Sequence, residues 1–209
     1  MNEINQLAEL LANTDKTIFF TGAGISTESG IPDYRSPNSG LWTKPDAVKA
    51  VDINSFLENP KIFYEVFSGE LYNPFANAKP NIAHKFIAEL ENLNKSMGVI
   101  TQNIDGLHKK AGSENIYELH GTMNTCSCMT YGAQILTNSV FDKFLLDKEK
   151  PVCGCGGVIK PDIVFFGESL PEATINGAFQ ASAACSLMVV VGSSLTVMPA
   201  AMLPNYAKD

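Results

Sequence analysis

Four short apolar runs constrain this 209-residue chain most, because each stops abruptly at glycine or at a polar cluster. Lys16 to Thr21 (KTIFFT) runs into Gly22-Ala23-Gly24, and Met97 to Thr101 into Gln102-Asn103-Ile104-Asp105-Gly106. Ile116 to Leu119 runs into His120-Gly121, and Leu187 to Val191 into Gly192-Ser193-Ser194. Apolar runs this short, without polar alternation, read as strands buried on both faces. Segments of helical period lie around and between them. The chain opens with Ile4, Leu7, Leu10 and Leu11 on one helix face. Pro60 to Leu71, Pro80 to Leu93 and Glu172 to Ala184 supply further helices, with Pro80 near a first turn. Strands alternating with helices predict an α/β fold with a doubly wound, Rossmann-like parallel sheet. Ligands bind such sheets beyond the C-terminal strand ends, so the four polar clusters should converge on one crevice.

Length fits one domain, or one main domain with a small insert. With 45% hydrophobic and 18% charged residues, a packed core is expected. The net charge of -7 repels phosphate backbones, which argues against nucleic acid as a partner. It favours Lys-rich peptides only weakly. Met1 to Lys16 carries Glu3, Glu9 and Asp15 and lacks the basic lead and apolar run of a secretory signal. Leu187 to Val191 is too short to span a bilayer, so no membrane role is expected and a cytoplasmic location is. Five cysteines in such a chain read as metal ligands or thiols before disulfides.

Gly22 to Ser36 (GAGISTESGIPDYRS) is too rich in Gly, Ser and Pro for regular structure and reads as a loop. Its opening follows a strand, as in a dinucleotide fold, but Thr27 stands where G-x-G-x-x-G needs its third glycine. A GAG after a strand is also an ordinary tight turn. Asp33, Tyr34 and Arg35 set a carboxylate, a ring and a guanidinium side by side. They suit a ribose, a flat heterocycle and a phosphate, or equally a solvated turn with an ion pair. Asn103 and Asp105 suit a carboxamide or ribose hydroxyls, and both are also common turn formers. His120 at a strand end is either a general base near neutral pH or a satisfied structural residue. His84 and His108 are assigned to packing or surface, and Cys185 to packing.

Six segments together resemble the sirtuins. They are GAGISTESGIPDYRS (Gly22 to Ser36), KPNIAH (Lys79 to His84), TQNIDGLHKKAG (Thr101 to Gly112), ELHG (Glu118 to Gly121), IKPDIVFFGE (Ile159 to Glu168) and GSSLTVMPAAMLP (Gly192 to Pro204). The resemblance implies an NAD-dependent protein-lysine deacylase that releases nicotinamide, O-acyl-ADP-ribose and deacylated lysine. It implies a Rossmann-like part over 1–35, 80–121 and 160–209. A small module would combine a helical part, 36–79, with a Cys-rich, zinc-binding part, 122–159. His120 becomes the base, with Asn103 and Asp105 beside it. Gly22, Ala23, Gly24, Thr27, Asp33, Tyr34, Arg35, Gln102, Ile104, Gly192, Ser193 and Ser194 become NAD contacts. Val164, Phe165, Phe166 and Gly167 become an edge that pairs with an acyl-lysine peptide. ADP-ribosyl transfer to protein, or NAD binding without turnover, are the alternatives.

Two departures stand out. The family spaces its zinc cysteines as two C-x-x-C pairs, whereas Cys126-Ser127-Cys128 and Cys153-Gly154-Cys155 are both contracted. One structural zinc on Cys126, Cys128, Cys153 and Cys155 is the expectation, against a metal-free or redox-active cluster. Sirtuins also continue past the segment that ends this sequence, so the chain reads as C-terminally shortened. Tyr64-x-x-Phe67 lacks the Arg of relatives that remove dicarboxylic acyl groups, which predicts a preference for small neutral acyl groups.

Overall fold

In chain order the elements are α1 (Glu3–Ala12), β1 (Thr17–Thr21), α2 (Pro45–Ala50), α3 (Ile53–Glu58), α4 (Lys61–Glu70), α5 (Tyr72–Asn77), α6 (Ile82–Asn92) and β2 (Ser96–Thr101). There follow α7 (Leu107–Ala111), β3 (Ile116–Glu118), β4 (Gly121–Cys128), β5 (Gln134–Leu136), α8 (Thr137–Asp147), β6 (Ile159–Ile163), α9 (Glu172–Ala184) and β7 (Leu187–Val191). They come from a computed structural model that describes residues 2–34, 36, 40, 43, 45–70 and 72–207.

The four apolar runs form one parallel sheet in the order β3-β2-β1-β7. Strand β1 is buried throughout because both faces are covered. Ile18 and Phe20 pack with Ile100, Leu119, Ala178, Ala181 and Leu203 on the α9 side. Phe19 points the other way, against Leu11, Ile25, Ile87 and Val99. This two-sided burial is what an uninterrupted apolar strand requires. Asn81 caps α6 by accepting from the N–H groups of Ala83 and His84, which sets where that helix leaves the sheet end.

A second sheet, β5-β4-β6, is antiparallel and was not foreseen. Strand β4 carries Cys, Thr and Ser and β5 has only three residues, so no apolar alternation marked them. With α2 to α5 and α8 it encloses a largely aromatic core of Phe56, Phe63, Tyr64, Phe67, Tyr72, Phe141, Phe144 and Phe165. Tyr72 and Phe141 stack at 4.5 Å, and Phe63 and Phe67 at 5.0 Å. The stretch read as a loop after β1 forms a 3-10 helix, Ala23–Ser29, ended by Gly30 in the left-handed region. Short 3-10 turns tolerate Gly and Ser that would weaken an α-helix. Among the described residues no helix is long and apolar enough to cross a membrane.

Candidate active site

A cleft of about 910 Å³ opens between the C-terminal ends of the parallel strands and the turn after β6. Gly22, Ala23, Gly24, Asp33, Tyr34, Gln102, Asn103, Ile104, His120 and Gly192 to Ser194 all line it, as do Val164 to Gly167. The four polar clusters thus meet as the topology requires. Thr27 does not line the cleft; its hydroxyl donates to the Gly24 carbonyl at 3.0 Å. Asp105 also sits behind the wall, as described below. Arg35 lies outside the described residues.

The glycines at the first wall have a packing role. The Gly22 N–H donates to Val191 O at 3.0 Å and the Gly24 N–H to Gly192 O at 2.9 Å. A Cβ on Gly24 would lie 2.8 Å from the Gly192 Cα. One on Gly192, at φ +63, would lie 2.3 Å from the Ile25 nitrogen. Only glycine lets the ends of β1 and β7 approach this closely.

Gln102 ties three strand ends together. Its N–H donates to Thr21 O at 3.0 Å, and its side-chain amide donates to Ser193 Oγ at 2.7 Å. Its carbonyl lies 2.9 Å from His120 Nδ1. A carbonyl only accepts, so Nδ1 carries the proton and Nε2 keeps its lone pair. Burial lowers the His120 pKa from its ordinary 6.5, partly offset by that bond to Gln102. The ring is therefore a neutral imidazole at neutral pH, with one fixed nitrogen and one available to take a proton.

Behind the wall lies a buried polar network that the sequence did not reveal. Ser26 donates to Asp105 at 2.7 Å and accepts from the Asn103 amide at 3.1 Å. The other Asp105 oxygen accepts the Leu107 N–H at 2.8 Å. The Asn103 carboxamide oxygen is buried in the cleft wall with no partner among the described residues. His84 and His108 are both buried, with ring centroids 4.8 Å apart. His84 Nδ1 meets Asn81 at 3.0 Å. Thr21 spends its hydroxyl proton on Thr101, so His108 Nε2 donates to Thr21 at 3.0 Å. Burial and the adjacent His84 lower the His108 pKa to about 3, which keeps it neutral. The sequence placed both histidines in packing or surface; it could not show that they face each other under the site.

The opposite wall is held by its own pairings. Val164 N–H donates to His120 O at 2.9 Å, and Phe166 N–H to Val51 O at 2.8 Å. Phe166 O accepts the Ile53 N–H at 3.0 Å. The Phe165 N–H donates to Glu168 at 2.7 Å, and Glu168 also pairs with Lys160 at 2.9 Å. Much of the edge expected to pair with a peptide is thus engaged internally. Val164 O and the N–H and carbonyl of Gly167 are the backbone groups of this edge left unengaged among the described residues.

The cysteines split unevenly. Cys128, Cys153 and Cys155 bring their sulfurs within 4.8 Å of one another. Cys126 does not join them, which corrects the four-cysteine expectation. It is fully buried in the aromatic core, 3.3 Å from Thr137 Oγ1, and burial pushes its thiol up to about 11. The trio suits a thiophilic ion: the Tyr131 N–H donates to Cys128 Sγ at 3.3 Å and draws that thiol down to about 7.

Known proteins share this arrangement. The sequence profile described as the Sir2 family matches residues 22–199. An NAD-dependent protein deacetylase of Sulfurisphaera tokodaii is 46% identical over 99% of this chain and 81% of its own length. An NAD-dependent protein deacylase of Archaeoglobus fulgidus is 44% identical over 99% of this chain and 81% of its own. Among solved structures, a Sir2 complex with deacetylated p53 peptide and 3'-O-acetyl ADP ribose superposes with a TM-score of 0.92 at 40% identity. That match covers 99% of this chain and 82% of the other. A Sir2 protein bound to a propionylated peptide gives 0.87 at 38% identity over the same shares. With its cleft at the ends of a β3-β2-β1-β7 sheet and these matches along nearly its whole length, the chain belongs to the Sir2 family, the sirtuins.

Proposed function

We propose that this chain is an NAD-dependent protein-lysine deacylase acting on acyl-lysine peptides and proteins. The observation that carries the reading is His120, a half-buried neutral imidazole with Nδ1 committed to Gln102 and Nε2 free to take a proton in the cleft. NAD, when bound, supplies the ribose that receives the acyl group as nicotinamide leaves. The chain's residues then divide the work. His120 accepts the proton of a sugar hydroxyl. The buried, unpartnered Asn103 oxygen accepts a hydrogen bond from the ligand, since leaving it unmet is costly. Ser26 and Asp105 hold Asn103 in place from behind. Gly22 to Gly24 and Gly192 to Ser194 form the cofactor wall, with Tyr34 and Asp33 at its rim. Val164 O and Gly167 N–H pair with the extended peptide.

The relatives' names and their complexes with acetylated and propionylated peptides support the reaction class. Zinc fits the thiol trio and would brace the end of the small antiparallel sheet. We also take the chain to act in the cytoplasm, where thiols such as its five free cysteines persist. Mass spectrometry of an acetyl-lysine peptide incubated with NAD and this chain tests the proposal. Deacetylated peptide, nicotinamide and O-acetyl-ADP-ribose are expected together. ADP-ribosylated peptide, or NAD binding without turnover, overturns it.

A further inference from the structure

The two contracted cysteine pairs have the same spacing and different fates, and the difference bears on what the metal site can do. We propose that this chain holds its metal through only three thiolates, Cys128, Cys153 and Cys155, and leaves the fourth coordination position to a small ligand from outside the chain. The proposal does not depend on the deacylase reading.

Three observations carry it. First, the only cluster of at least three potential Cys, His, Asp or Glu ligands among the described residues is this trio. Second, Cys126 is unavailable. Its side chain packs with Tyr64, Phe141 and Phe144 and meets Thr137, so recruiting it would pull a buried residue out of the aromatic core. Third, Tyr131, three residues past Cys128 and so at the C-x-x-C spacing from it, is 78% exposed. It offers its backbone N–H to Cys128 Sγ instead.

The cluster also reaches the surface. Cys128 is buried, Cys153 intermediate and Cys155 exposed. A Cβ built on Gly154 or Gly156, the neighbours of Cys155, would meet nothing within 4 Å. A closed structural zinc site uses four protein ligands; three protein ligands with an accessible position is the arrangement that accepts a water or a small donor. Three thiolates on a divalent ion leave a single net negative charge, so a neutral donor such as imidazole or water is favoured over another anion. An incoming chelator can then bind before any cysteine leaves, which speeds metal loss.

Cobalt(II) reconstitution of the full chain tests this, because thiolate-to-cobalt and d–d bands report the ligand set without reference to activity. We expect one cobalt per chain. Imidazole should shift the d–d bands with no loss of cobalt or of the thiolate charge-transfer bands. Cys126→Ala and Tyr131→Phe should leave metal content and spectrum unchanged, while Cys128→Ser and Cys155→Ser should abolish or strongly weaken binding. Bands unmoved by saturating imidazole would reveal a site closed by the chain and overturn the proposal. So would absence of bound metal in the folded chain, or loss of the spectrum in a folded Cys126→Ala or Tyr131→Phe variant. The imidazole experiment uses the unsubstituted chain, so it decides the matter even if Cys126→Ala fails to fold.

Discussion

The parallel sheet and the aromatic lobe reach their close packing by opposite means. At the ends of β1 and β7 side chains are removed: Gly22, Gly24 and Gly192 bring backbone against backbone, and a polar network of Ser26, Asn103, Asp105, His84 and His108 fills the space behind. Across the cleft, the lobe fills its interior with rings, and Tyr64 crosses it to bond Ile159 O at 2.8 Å. Backbone packing fixes atoms tightly but tolerates no added group. Ring packing tolerates rearrangement but loses much energy when a ring is removed. The sheet side should therefore govern the chemical step, and the lobe should govern stability and the fit of the acyl chain.

The hardest test of that division is His120→Ala. It should lower turnover by about 10²- to 10⁴-fold, the usual range for a general base, while NAD affinity changes little. Steady-state kinetics beside NAD titration would check it, and unchanged turnover removes the base from the mechanism. The unsubstituted chain offers a companion measurement. Burial lowers the His120 pKa, so the free-base form persists below pH 6.5. The acidic limb of the rate profile should lie on the low side of that value and vanish in the variant.

Phe141→Ala probes the other side. Its ring stacks on Tyr72 and touches Phe63, Tyr64 and Phe67, so its loss should cost about 3–5 kcal/mol of stability. The catalytic constant of the molecules still folded should stay near that of the parent. A fall in turnover as large as that of His120→Ala, with stability unchanged, would break the contrast between the two regions.

A smaller effect concerns the acyl group. Phe67 lines the cleft, whereas Tyr64 is wholly buried with its hydroxyl committed to Ile159. The Tyr-x-x-Phe pair presents no cation, so a succinyl carboxylate would be desolvated there without a partner. Catalytic efficiency on acetyl-lysine peptides should exceed that on succinyl-lysine peptides by at least about tenfold, the equivalent of ~1.4 kcal/mol. Equal efficiencies would show that the lobe does not read acyl charge.

The same contrast explains what the sequence disclosed. Strands β1 and β2 were legible because burial on both faces favours an apolar run, β7 was legible as an apolar run although it is only half-buried to exposed, and α9 was read with its observed bounds. The small sheet was not, because β4, GTMNTCSC, carries no apolar alternation and β5 has three residues. Cys126 was misassigned because C-x-C spacing cannot say whether a thiol faces a metal or a core. The partnership of His84 and His108 was hidden for a related reason. His84 was visible on a predicted helix and His108 in a segment with no predicted helix, and only the packing of α6 against α7 brings the rings together.

The bond from Val164 N–H to His120 O gives the site a shared datum. The imidazole proposed as the base hangs from one end of His120, and the turn that would seat a peptide is referenced to its carbonyl at the other. Error in placing two reacting partners accumulates over every joint between them. Here the chain contributes a single joint, with the turn further braced to Val51 and Ile53 through Phe166 and to Lys160 through Glu168. A short tolerance chain of this kind keeps the His120 ring and the Val164 to Gly167 edge aligned even if the two lobes breathe, because neither is measured from a distant part of the molecule.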